Sequence, residues 1–483
     1  MLLALGVLVV HDVGYLLAHP YWVDEAWVVS STKVRWSELT GATGPTPIGF
    51  TLLLRAAVFG GEQRQRLIPL AAAGLSVGAA YLCGRELGLR RFTALCVLAV
   101  PVLLTPAMLL RNDLKQFTTE ALLAVVVLLL TLRLESSWSR PRLAALAVVV
   151  GLGPLLANAD LFFGSGALLA VAVVALSGRQ WRRLGEVVVA GLAAGATMLA
   201  VVVLFLLPRQ NPTLSHYWDA YYLPSNPADA ATFLSARAAM WFPGTGLEFG
   251  WLALLLVLLG VTGLALRGYR ASALLLPLAA IEVLVAGVAD VYPVLDPRTS
   301  TWLSVLVVVM AGLGVALVAE QLIARGRAVP IGITLAATLA YVASAGPGVR
   351  SHQLPREDVR AQAMYVQTHR SPTDVVIVDL GANWGYAYYA EAGPLAVIPS
   401  GPAAATGFLI RYDDPRVVAM HSRDVTSPRR ALAAARGLLP AGGRIFVVRS
   451  HVPRGEERGW EQALSGSRVT SVPVGVERLL IVQ

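Results

Sequence analysis

Asp24 and Glu25 stand side by side in HPYWVDEAWVVS (19–30). A carboxylate so placed is the usual means of taking a proton from a hydroxyl nucleophile. Arg111, Asp113 and Lys115 lie in RNDLKQFTTE (111–120), and Arg298 closes DVYPVLDPR (290–298). Arginine binds a phosphate through a planar fork and lysine as a point charge, so these residues are candidate anion binders. Asn158 and Asp160 form a third polar turn. His19, beside the acid pair, and His216, in the aromatic run PTLSHYWDAYYLPSNP, are candidate acceptor or metal contacts. A base for a nucleophile together with cations for a departing anion makes a pattern suited to group transfer.

The elements that must position these residues are apolar. Of 483 residues only 14% are charged, 56% are hydrophobic, and mean hydropathy is +0.63. Soluble domains carry about 25% charged residues, so an ordinary soluble enzyme and a disordered chain are both excluded. Apolar runs near the bilayer-spanning length recur at roughly 1–18, 67–84, 92–110, 117–134, 143–157, 161–177, 185–207, 249–266, 271–289, 299–319 and 328–345. The composition predicts a multi-pass α-helical membrane protein with about 11 transmembrane helices. The net charge of +9 needs no nucleic-acid partner, because arginine-rich loops account for it. Cys83 and Cys96 both fall in apolar stretches and imply no disulfide framework.

Arginines cluster after alternate runs, at 85–91, 133–142, 179–183, 267–270 and 325–327, whereas 158–160 has no base and 290–298 has only Arg298. The positive-inside rule then puts the N-terminus in the cytoplasm of a cell-membrane protein. The turns near residues 19, 113, 159 and 296 fall together on the outer side. Residues 46–59 (TPIGFTLLLRAAVF) are too short to cross and contain Arg55, so they are expected as an interfacial helix inside an outer loop, 19–66. A second outer loop covers 208–248. From about 346 the hydropathy falls. Strands are expected at 375–380, 395–399, 444–448 and 478–482, with helices at 355–370 and 429–439. The expected domains are therefore 1–345 in the membrane and an extracytoplasmic α/β domain at 346–483.

In that order and on that side, these motifs resemble the GT-C superfamily of glycosyltransferases, in the branch of protein O-mannosyltransferases and the lipid A aminoarabinose transferase. Asp24-Glu25 stands where that branch has its Asp-Glu pair, and Thr46-Pro47 where it has an HPP-type interfacial helix. RLIPLAAAGLSVGAAYLCGREL (66–87) is similar to its second span, and RNDLKQFTTEALL to its segment before the fourth. Arg298 falls where relatives carry an arginine for the lipid phosphate. Two positions depart from the pattern, Thr46 for histidine and Phe117 for tyrosine. The resemblance implies inverting transfer of a sugar, mannose or arabinose, from a polyprenyl-phosphate donor to a cell-envelope glycan, glycolipid or protein. It implies Asp24 as base with Glu25 second, and Lys115, Arg298 and Arg111 at the donor phosphate. For the C-terminal domain it implies an accessory role in acceptor binding.

Other readings stay open. Asp160 is either a cap for the helix after it or a metal ligand, and a divalent cation shared by Asp24, Glu25 and Asp160 is one arrangement. No other cofactor is expected. Glu282, in mid-span, is either a neutral acid bonded to another helix or part of a lipid groove. Tyr386, Tyr388 and Tyr389 either stack on sugar rings or pack in a core. A lipid-linked sugar transporter or flippase, or a non-catalytic envelope assembly protein, is the alternative function. A transporter would carry repeated halves and polar groups at the midplane, and neither is legible here.

Overall fold

The structure is a computed structural model that describes residues 2–43, 46–57, 62–110, 113–207, 216–322, 328–351, 354–399 and 408–483. Its principal helices are α1 (Leu2–Val10), α2 (Val13–Ala18), α3 (Val23–Lys33), α4 (Ile48–Ala56), α5 (Leu67–Glu86), α6 (Phe117–Ser136), α7 (Arg140–Leu152), α8 (Asp160–Ser177) and α9 (Trp181–Val201). They continue with α10 (Pro227–Thr245), α11 (Gly250–Leu266), α12 (Arg270–Val288), α13 (Thr301–Gln321), α14 (Ala328–Ser351), α15 (Val359–His369), α16 (Asn383–Ala390), α17 (Ser427–Leu438) and α18 (Arg454–Leu464). The chain divides into two compact units. One holds 1–17, 66–207 and 218–353; the other holds 18–65, 208–217 and 354–483.

In the helical unit, seven helices among the described residues are long and apolar enough to cross a membrane, eight if α10 and α11 count as one bent span. The eleven apolar runs are all helical, but several are shorter or broken for local reasons. The run 1–18 breaks at His11-Asp12, where Asp12 takes φ +41°. The α10–α11 pair bends by 74° after Gly246, whose φ of +74° is the left-handed helix end that glycine adopts without strain. The run 143–157 yields the 13-residue α7, ended by a turn containing Pro154. Helix α13 is buried on nearly every face, which is why its sequence is apolar all round and not amphipathic. It packs closely against α11, where Gly260 and Gly314 let the two backbones approach. Glu282 of α12 accepts a hydrogen bond from the Ser165 hydroxyl of α8, so it is satisfied by a neighbouring helix.

In the second unit, strands β1 (Val375–Val378), β2 (Ala396–Pro399), β3 (Phe408–Arg411), β4 (Val417–Ala419), β5 (Ile445–Val448), β6 (Val469–Val474) and β7 (Glu477–Val482) form two sheets. The larger has the order β4-β1-β5-β7-β6, with β4, β1 and β5 parallel and β7 antiparallel to both its neighbours. Strand alternation sends Val376, Val378, Phe446 and Val448 into a core with α15, and Val375, Ile377, Ile445 and Val447 into another with α17 and Trp460. The result is a three-layer α/β/α sandwich. Strands β3, β4 and β6 go beyond the sequence expectation, as do α16 and α18.

Helix α3 lies along this sandwich within the same unit. Ser30 Oγ donates to the carbonyl of Trp384 at 2.9 Å, and Val34 bridges to Leu395. The Val397 amide donates to Glu38 at 3.1 Å. Helix α4 buries Ile48, Phe50, Thr51 and Leu54 while Leu52 and Leu53 stay exposed, the two-sided character expected of 46–59.

Candidate functional site

Three of the polar turns meet at one end of the helical unit, where α6, α8 and α13 all begin. Glu120, in the first turn of α6, is buried and accepts from the backbone amides of Asn158 and Ala159 and from the Gln116 side chain. Phe162 of α8 packs on Tyr292 with ring centres 4.6 Å apart, and Phe163 packs on Trp302 of α13 at 5.4 Å. The Tyr292 hydroxyl donates to the Thr299 carbonyl at 2.7 Å and receives the Trp302 indole N–H at 3.3 Å. Burial, with Glu120 adding to it, pushes the Tyr292 phenol well above its usual range, so this hydroxyl stays protonated.

Around this knot the charged residues are enclosed to a degree that surface loops do not show. Asp113 is 1% exposed and Lys115 7%. Buried charges require partners or ligands, so these positions are costly unless they serve. Asp296 is buried and takes the amides of Arg298 at 3.0 Å and Thr299 at 2.8 Å, which fixes the turn carrying Arg298. Arg111 lies outside the described residues.

Asp160 does not cap its helix. As the first residue of α8 it turns its carboxylate into a cradle floored by Gly153 and Gly164, with no hydrogen-bond partner among the described residues. A Cβ on Gly153 would collide with the carboxylate, so the glycine is what gives it room. Among the described residues, no group of three or more His, Cys, Asp or Glu side chains is placed to hold a metal ion.

The acid pair belongs to the second unit, on the first turn of α3. Asp24 is half-buried and Glu25 fully buried. The turn is braced on both sides. Tyr21 is fully buried, its amide donating to the Tyr389 hydroxyl at 3.1 Å and its own hydroxyl to Gln65 at 3.1 Å. The Val23 amide donates to Glu357 Oε2 at 2.8 Å. His19 Nδ1 lies 2.8 Å from the Pro20 carbonyl, a local contact, and His216 is exposed. The tyrosines of the C-terminal sandwich serve packing: Tyr386 is in the core, and Tyr388 and Tyr389 lie against Tyr21. Residues 378–389 (VDLGANWGYAYY) run from the last residue of β1 into α16.

Glu120, Glu357 and His451 were not among the residues singled out in the sequence. Glu120 is the last residue of RNDLKQFTTE, and His451 stands three residues past the end of a parallel strand. That strand-end position is the one signal by which it could have been found.

No protein-family model matches this sequence, and no curated protein does. Solved structures do match its fold. ArnT from Cupriavidus metallidurans bound to undecaprenyl phosphate aligns over 100% of this chain and 97% of its own, with TM-score 0.60 at 13% identity. The oligosaccharyltransferase AglB from Archaeoglobus fulgidus, in complex with an inhibitory peptide and a dolichol-phosphate, aligns over 92% of this chain and 68% of its own, with TM-score 0.54 at 12% identity. The arabinofuranosyltransferase AftD from Mycobacteria aligns over 99% of this chain and 39% of its own, with TM-score 0.53 at 15% identity. The chain shares the fold of these three structures.

Proposed function

We propose that this multi-pass membrane protein is a polyprenyl-phosphate-dependent glycosyltransferase acting on the outer face of the cell membrane. The observation that carries this reading is the meeting of the turns at residues 113–120, 158–163 and 292–302 at the start of three helices, in which Lys115, Glu120, Asp160 and Asp296 are all buried. A fold shared over the whole chain with a protein solved with undecaprenyl phosphate bound supports it further.

In the reaction proposed here, Asp24 takes the proton of the acceptor hydroxyl as that oxygen attacks the anomeric carbon. Glu25 is its second. The bond from the anomeric carbon to the lipid phosphate breaks with inversion, and Lys115 and Arg298, with Arg111, bind the phosphate on which charge builds. The prenyl chain has a candidate berth in the helical unit, an apolar cavity of about 610 Å³ between α11, α13 and α14, lined by Leu252, Leu256, Val308, Val315 and Tyr341 among others. The sugar is mannose or arabinose and the acceptor an envelope glycan, glycolipid or protein. Residues 346–483 act in acceptor binding.

The test is transfer by the purified full chain from radiolabelled polyprenyl-phosphate mannose or arabinose to lipid and glycoside acceptors. Asp24→Asn is expected to lower the rate on the order of a hundred- to ten-thousand-fold with folding intact. Undiminished turnover in Asp24→Asn would remove that residue from the mechanism. A wild-type protein that carries the lipid-linked sugar across vesicles without forming a glycosidic bond would replace the transferase by a transporter.

A further inference from the structure

The carboxyl ends of the parallel strands β1 and β5 are where open α/β sheets gather their functional groups. Here the loops leaving those ends carry Asp379 and the run Arg449-Ser450-His451. His451 has φ +52°, a left-handed conformation that a non-glycine residue holds only when its surroundings impose it. They do so through several bonds. The Ser450 amide donates to Asp379 Oδ2 at 3.1 Å, and the Ser450 hydroxyl to Glu477 at 2.8 Å. Gln362 of α15 donates to the Arg449 carbonyl at 2.7 Å.

The strained residue is aimed at something. Its Nδ1 donates to Glu357 Oε1 at 2.8 Å, while the other oxygen of the same carboxylate receives the amide of Val23 at 2.8 Å. Val23 opens α3 and is the neighbour of Asp24. One buried carboxylate thus joins the strained histidine to the backbone of the turn that bears the acid pair. Free amides at a helix start favour an anion there, and Glu357 supplies it from a residue more than three hundred positions away. Three charged groups act on the imidazole: Glu357, which binds it; Asp24, which attracts its proton; and Arg423, which repels it. The ring itself is half-exposed.

We propose that Glu357 and His451 are positioning residues for Asp24, the histidine fixing the carboxylate that holds the first turn of α3 in place. This inference rests on the glycosyltransferase reading and on Asp24 as the base. A contact that merely fastened α3 to the sandwich would affect stability and leave the turnover of folded protein unchanged. Positioning predicts a different signature.

The experiment is transfer kinetics of the full-length protein with polyprenyl-phosphate mannose and polyprenyl-phosphate arabinose as donors and alkyl glycosides as acceptors. In His451→Ala and Glu357→Gln, kcat is expected to fall tenfold or more with the KM for the donor unchanged. His451→Gln, whose amide restores a donor to Glu357 without a charge, is expected to recover part of the loss. Hydrogen exchange at the Val23 amide is expected to accelerate in Glu357→Gln. Should Glu357→Gln fail to fold, the two His451 variants at a half-exposed ring carry the test. Wild-type kcat in folded His451→Ala, or a loss confined to donor KM, overturns the inference while leaving the transferase reading intact. A wild-type protein that transfers from neither donor overturns both.

Discussion

Lys33 Nζ donates to the backbone carbonyl of Tyr388, 355 residues away, at 2.8 Å, and to that of Glu391 at the same distance. One of only two lysines in the chain thereby clamps the C-terminal end of α3 to the end of α16, with its charge 4.8 Å from the centre of the Tyr388 ring. Replacing Lys33 by Met strips both carbonyls of their donor. A loss of about 1–3 kcal/mol in the stability of this unit is expected. Limited proteolysis of the full chain in detergent, followed at the 354–483 segment, reads it directly; wild-type resistance would mean the clamp contributes nothing.

The cations assigned to the donor phosphate make a kinetic prediction that separates them from the base. A charge-assisted hydrogen bond contributes about 1.5–3 kcal/mol, so Lys115→Ala and Arg298→Ala should each weaken the donor roughly 10- to 150-fold. The acceptor KM should hold. Equal losses toward donor and acceptor would contradict the phosphate role.

The contact between α11 and α13 depends on an absence of side chains. A Cβ on Gly260 would run into the Met310 carbonyl, and one on Gly314 into the carbonyl of Leu256. Backbone cannot yield as a flexible side chain can, so Gly314→Val should cost about 3 kcal/mol or more. Thermal denaturation in detergent would reveal it as a drop of several degrees. A Tm equal to wild type would show that the helices part without penalty.

Asp374 sets an acid limit on the sandwich. Burial would raise its carboxyl, but the Arg444 side chain at 2.9 Å, with the amides of Ser371 and Arg444, outweighs burial and holds it at about 2. A carboxyl depressed by folding contributes stability above its unfolded pKa near 4. That contribution, roughly 2 kcal/mol, is lost as the pH falls from 4 toward 2. Asp374→Asn should be less stable than wild type at pH 6, and the gap should close as the pH drops through that window. A gap independent of pH would refute the assignment.

Much of the helical unit was legible because apolar length is a strong signal. What did not follow was where helices break, since Gly246 at φ +74° and Asp12 at φ +41° act through backbone geometry that hydropathy does not register. Strands β3, β4 and β6 were missed because they are short or exposed: the residues of β6 are largely solvent-facing, so no buried apolar run marks them. Of the residues proposed to act in transfer, Asp24, Lys115 and Arg298 stand in recognisable motifs. Glu357 and His451 do not, because Glu357 meets Val23 and His451 meets Glu357 across long stretches of chain, and no local spacing encodes partners that distant.

The grouping of 18–65 with 354–483 has a consequence for biogenesis. Chains emerge N-terminus first, and contacts between distant segments form late. The segment bearing Asp24 is therefore made early yet cannot pack Tyr21 against Tyr388 and Tyr389, or bond Ser30 to Trp384, until nearly all later spans have been made. Through that interval its apolar and acidic surfaces stand without their native cover. A ribosome stalled short of the sandwich would leave α3 without the partners that Ser30 and Lys33 find in residues 384–391.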